Sequence, residues 1–134
     1  MKTLLIIMFL VLAGCQTAKV AQPLTGNLAG NDPDSQMEFW HTLASRPVTS
    51  NDEAFHGLLL YLDGQDAAGS YADRVALMRS RKMLPGNFEA PADAAVTRGD
   101  LAVAISRAMQ IKGGLVMRAL PRSPRYATRE LVFM

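Results

Sequence analysis

Three pairs in which a hydroxyl residue stands three positions before an acid each lie just ahead of a helical apolar pattern in this chain. The pairs are Ser50 with Glu53, Ser70 with Asp73 and Thr97 with Asp100. At that spacing the hydroxyl accepts from a backbone N–H three residues on, and the acid can reach back to the cap residue, so each pair marks a helix start. After Ser50, the residues Phe55, Leu58, Leu59 and Leu62 recur at i, i+3, i+4 and i+7, which is one face of a helix. Starts of this kind, repeated along the chain, constrain it to an all-α fold, a small bundle of helices.

The pattern predicts a first helix from Ser35, its N-cap, to Arg46-Pro47, because a residue before proline is pushed out of the α region. Met37, Trp40 and Ala44 share its apolar face, widened by Phe39 and Leu43. The second helix runs from about Ser50 to Leu62 and stops at Asp63-Gly64. A third, Tyr71 to Met83, buries Ala72, Val75, Ala76 and Met83, with Arg79, Arg81 and Lys82 where cations suit the helix dipole. The fourth, Arg98 to Lys112, buries Leu101, Ala104, Ile105, Ala108 and Ile111. Ala102, Val103 and Met109 widen that face, so it is expected to be the most buried helix, closed by Gly113-Gly114. Pro121 to Pro124 reads as a linker, and a short last helix covers Arg125 to Met134.

The N-terminus carries a different message. Lys2 precedes an apolar run from Leu4 to Leu12, and Leu12-Ala13-Gly14-Cys15 follows. A positive start, a short apolar core and small residues form a secretory signal, and the run is shorter than the ~20 residues that span a bilayer. Leu-Ala-Gly-Cys resembles the lipobox of bacterial lipoproteins. The resemblance implies cleavage before Cys15, lipid on its thiol and acylation of its new amino group. It places the protein in the cell envelope, anchored to a membrane through Cys15. Gln16, rather than aspartate, follows the cysteine and points to the outer membrane, facing the periplasm. The organisation expected is a signal peptide over 1–14, a flexible tether over 15–34 rich in Gly, Asn, Asp and Pro, and a helical domain over 35–134. Cys15 is the only cysteine, so the fold holds without disulfides. About a hundred residues can bury one modest core.

Local echoes suggest a repeat. Val48-Thr49-x-x-Asp52 recurs as Val96-Thr97-x-x-Asp100, and Tyr71-Ala72-x-Arg74 recurs as Tyr126-Ala127-x-Arg129. At the offset of the first echo, the stripe of the second helix falls on the polar side of the fourth, so the caps repeat and the faces do not superpose. The span 71–113 resembles one S-layer homology repeat in its Tyr71-Ala72 pair, its Pro85-Gly86-Asn87-Phe88 and Pro91 loop, and its Thr97-Arg98-Gly99-Asp100 helix start. It departs from that pattern in having Tyr for Trp, no Asp-Gly before the Phe, and Gly-Asp for Ala-Glu. Residues 35–66 would form a degenerate first repeat and 125–134 a partial third. The resemblance implies non-covalent binding of cell-wall polysaccharide or peptidoglycan-linked polymer. Arg98 would make the contact with Arg74 or Lys82, beside a helix start whose free N–H groups favour anions. Thr97 and Asp100 form the helix-capping motif.

Charge narrows the function classes further. Loss of Lys2 leaves 13 of the 14 basic residues against 12 acids, a near-neutral chain with no field for nucleic acid. Lys112 to Met134 holds five basic residues and one acid, a tail suited to anionic lipid or polymer. His41 and His56 lack metal-ligand spacing, and Asp63, Gln65 and Asp66 lack a calcium-loop pattern. No nucleophile elbow, P-loop or dinucleotide fingerprint is present. These features point to a protein that is not an enzyme and needs no metal or cofactor. The expected function is lipid-anchored binding of cell-wall polymer. The alternative is a protein-interaction subunit of an envelope complex that uses an apolar face left uncovered.

Overall fold

A computed structural model describes residues 17–24, 28, 30–120 and 123–134; the signal segment and Cys15 lie outside the described residues. The described residues form six helices: α1 (Pro33–Ala44), α2 (Asn51–Asp63), α3 (Tyr71–Ser80), α4 (Arg98–Ala108), α5 (Leu115–Ala119) and α6 (Pro124–Phe133). The all-α small bundle is therefore the observed architecture.

The capping pairs start helices where the sequence places them. The Glu53 N–H donates to Ser50 Oγ at 3.2 Å and the Ser50 N–H to Glu53 Oε2 at 2.7 Å, a complete capping box. Ser70 and Thr97 likewise accept from the N–H groups of Asp73 and Asp100. α1 starts earlier than expected. Asp32 is its cap, accepting from the Ser35 N–H at 3.0 Å, and Pro33 takes a first-turn position where its missing N–H costs nothing.

Two helix ends correct the sequence reading. α3 stops at Ser80 rather than Met83, and α4 at Ala108 rather than Lys112. Lys82 and Gln110 adopt left-handed φ angles of 61° and 54°. The Met83 N–H then bonds Met78 O, and the Ile111 N–H bonds Ser106 O, each at 2.9 Å. Both are Schellman endings, reached without the expected glycines. The turn drops Met83 back into the core, where it is buried.

The most buried helix is α2, not α4. It packs against α3 and α4, and α1 covers its other side. Phe55 and Leu59 join Val75, Met78, Leu84, Phe88 and Ala104 in the main core. Leu60 points the opposite way, to Phe39 and Leu28. α1 therefore buries Phe39, while Met37 and Trp40 remain outside. On α3 the inward face is Arg74, Val75 and Met78, and Ala72 and Ala76 are exposed.

α4 and α6 pack along their lengths around Ala102, Val103, Met117 and Ala127. A Cβ on Gly99 would lie 2.5 Å from Pro124 Cβ, so the glycine allows the start of α6 to approach α4.

The N-terminal segment is not a free tether. The Ala95 N–H donates to Ala18 O at 2.7 Å and the Val20 N–H to Asp93 O at 2.9 Å. Lys19 Nζ lies 2.8 Å from Asp93 Oδ2, and the Leu24 N–H donates to Glu53 Oε1 at 2.7 Å. The loop before α4 has no helical partners for its backbone groups, and the extended segment supplies them. Two residues, Gln16 and Thr17, thus lie between Cys15 and the first docked residue, Ala18, three steps of chain that span at most about 10 Å.

Candidate functional site

The principal concave feature is an apolar groove of ≈ 680 Å³ between α1, α2 and α4. α2 contributes Leu58 and Leu62, and α4 contributes Leu101, Ile105 and Ala108. Four of these, Leu58, Leu62, Leu101 and Ala108, also pack against the main core, which fixes the groove wall. Pro47, Val48, Thr49 and Val96 close one side, and the Val96 N–H donates to Thr49 O at 2.9 Å, joining the two loops. Trp40, Tyr61 and Met109 form an exposed rim. Gly57 leaves room for the indole, since a Cβ there would lie 3.1 Å from Trp40 Cη2. No charged residue lines the groove. Its size falls in the range of ligand pockets, and its chemistry favours an uncharged apolar guest over a polyanion.

A second constellation is polar and buried. His56 Nδ1 lies 2.6 Å from Asp66 Oδ2, with both side chains out of solvent. Arg74 Nε donates to the same oxygen, and Arg74 Nη1 to Asp52 Oδ1 at 2.8 Å. Asn31 and Asp66 exchange two bonds, Asn31 Nδ2 to Asp66 O and the Asp66 N–H to Asn31 Oδ1. Burial pushes the Asp66 carboxyl up, but hydrogen bonds from His56 and Arg74 outweigh it and hold Asp66 below the usual carboxylate range. The edge of Phe39 faces the His56 ring, with centroids 4.7 Å apart, and His56 Nε2 meets no polar partner. An Asp–His pair of this kind can orient a base, but here its free nitrogen is shut into the core. The network ties α2, α3 and the segment before α1 together.

That network corrects the role expected for Arg74. Its side chain is 5% exposed, and its guanidinium also donates to Leu28 O and Ala68 O. Its donors are spent inside the protein and are not available to a polymer. Arg98 is exposed at the first position of α4, and Lys82 is exposed at the turn ending α3. The three cations therefore do not form one surface. Thr97 and Asp100 do cap α4 as expected, with Thr97 Oγ1 donating to Asp100 Oδ2 at 2.7 Å. Cys15 lies outside the described residues.

The sequence reading missed the groove, although its signals were present. Leu58 and Leu62 were assigned to one buried stripe with Phe55 and Leu59, yet the stripe is wider than the core it faces. The Val48-Thr49 and Val96 echo marks two loops that meet at the groove. The chain matches no protein-family model, no curated protein and no solved structure. Among the described residues no helix is long and apolar enough to cross a membrane.

Proposed function

We propose that the protein is a lipid-anchored, non-catalytic interaction module of the bacterial cell envelope, tethered through Cys15 at the periplasmic face of the outer membrane. It acts as a docking subunit of an envelope complex and holds an apolar, uncharged segment of a partner protein in the groove between α1, α2 and α4. The observation that carries this reading is the groove's lining: fifteen residues from three helices and two loops, without one charge. An anionic wall polymer would meet no cation there. Trp40 is the only tryptophan and lines the groove, so its fluorescence reports a guest. The test places a photo-crosslinking residue at Tyr61 or at Lys82 in the full-length protein in cells. A discrete adduct from position 61, lost when Leu58→Arg is added, is expected. Equal adducts from both positions would overturn the reading.

The wall-polymer reading keeps one specific support, the exposed Arg98 guanidinium at the start of α4. Retention on purified sacculi that falls with Arg98→Ala is what it requires. Unchanged retention in that variant removes Arg98 as the contact.

A further inference from the structure

The corner where α4 gives way to α5 combines two features that the groove does not use. The first is a cleft of ≈ 520 Å³ lined by Arg107, Lys112 and Arg118 with no acid among its residues. Among the described residues, none of these three cations pairs with a carboxylate, whereas Lys19, Arg46, Arg74 and Arg81 each do. The dipole at the end of α4 accounts for a cation at Arg107. It does not account for Lys112, which lies between the two helices, whereas Arg118 stands in the last turn of α5. Ser106, which also lines the cleft, is buried with a hydroxyl that meets no protein partner, and Arg107 Nε is likewise unpartnered. The second feature is α5 itself. Leu115 is 82% exposed, and Val116 and Leu120 are about half exposed. Among the described residues these side chains stay open to solvent to that extent, and they stand within a few residues of the cations.

We propose that this corner is a membrane-docking surface: the basic cleft takes phosphates of anionic lipid headgroups while Leu115, Val116 and Leu120 enter the lipid. Cations beside exposed apolar side chains are what a surface lying in the membrane interface presents. The charge is complementary to an anionic leaflet and acts within a Debye length of it. The docked N-terminal segment keeps the domain as a whole near the lipid on Cys15, because three steps of chain span only about 10 Å; it is bonded to Ala95 ahead of α4, so the cleft at the other end of that helix is drawn to the membrane by its own charge and apolar side chains. This inference rests on the lipid-anchored reading and goes beyond it, because it fixes which face meets the membrane.

The test uses the full-length protein, processed in cells and reconstituted in nanodiscs. Co-elution with phosphatidylcholine discs, together with intact mass, checks the anchor separately. Lysine-reactive footprinting then reads Lys112, with Lys82 as the internal reference. In discs containing phosphatidylglycerol, Lys112 modification is expected to slow several-fold relative to neutral discs, while Lys82 is unchanged. Arg118→Ala should weaken the protection about fivefold, since each cation near an anionic surface contributes that much. Leu115→Glu, at a fully outward position, should remove it without unfolding the domain. Equal Lys112 rates in anionic and neutral discs, with the protein anchored, would overturn the proposal. Protection by inorganic phosphate in neutral discs but none by phosphatidylglycerol would overturn the headgroup assignment.

Discussion

Glu53 is the buried side chain that takes a bond from the docked N-terminal segment, and its removal is a sharp test of that contact. Its carboxylate is wholly buried and accepts three bonds: from the Ser50 N–H, the Leu24 N–H and Arg46 Nη1 at 2.8 Å. Glu53→Ala leaves three donors without their acceptor. The Ser50 N–H is buried and cannot turn to water, whereas Arg46 is 21% exposed and can. At about 1 kcal/mol per donor, and with Arg46 discounted for its exposure, the loss is about 2–3 kcal/mol. With a urea slope of about 1–2 kcal/mol/M, the midpoint should fall by about 2 M. Glu53→Gln keeps the shape but turns an amide NH₂ toward a donor, so an intermediate loss of about 1–2 kcal/mol is expected. Hydrogen exchange supplies the second readout. The Leu24 amide should lose protection in Glu53→Ala, whereas amides within α4 keep theirs under conditions where the variant stays folded. A midpoint within about 0.5 M of wild type, together with a still-protected Leu24 amide, would refute the role assigned to this carboxylate.

Two further perturbations test the packing and the polar network. Gly99→Ala should cost about 1–3 kcal/mol, because the new Cβ would lie 2.5 Å from Pro124 Cβ and must push α6 off α4; thermal melting reads the loss, and a melting temperature equal to wild type would show that α6 does not need this approach. Asp66 has a folded pKa below its unfolded value, so its contribution is fully present above pH ~4 and is lost as pH falls through the folded value. Urea midpoints at pH 7 and pH 3 should therefore drop further for wild type than for Asp66→Asn, and parallel drops would count against the network.

The helix starts were legible because capping is local chemistry. Ser50 with Glu53 and Thr97 with Asp100 act within four residues and need nothing from the rest of the fold. The helix ends were less legible. Gly86 and Gly113 resemble stop signals, but Lys82 and Gln110 take the left-handed positions that end the two helices, and Gly113, also left-handed at φ 56°, turns the chain after α4 has ended. Burial of Met83 favours that turn at α3, and such a tertiary contact has no local signature. Arg74 looked like a surface cation because arginines usually are; its acceptors Asp66 and Asp52 are 8 and 22 residues away in sequence. Gly99 likewise has a tertiary role, the approach of Pro124, that its neighbours in sequence do not announce. The N-terminal segment escaped a compositional reading altogether. Its bonds to 93–95 are made by backbone groups, which every sequence carries.

The length of the leash separates a wall-spanning tether from a membrane-held domain, and it can be changed directly. A tether of twenty flexible residues has a root-mean-square reach of about 25 Å, so the domain would sample a large volume away from its lipid. With Ala18 bonded to Ala95, the reach is set by Cys15, Gln16 and Thr17 and is about 10 Å at most. Under the proposed lipid anchor, a domain held this close to the bilayer meets headgroups at a high effective concentration, and lengthening the connection lowers it. Inserting twenty Gly/Ser residues between Gln16 and Thr17 leaves every described hydrogen bond in place. It should nevertheless weaken Lys112 protection in anionic discs several-fold, and salt should weaken it further. Stability of the folded domain, read by its urea midpoint, should not move. If the lengthened protein protects Lys112 as well as the original does, proximity is not what brings the α4–α5 corner to the membrane. If the lengthened protein instead gains retention on sacculi, reach to the wall limits the native protein, and the short leash restrains it from that polymer.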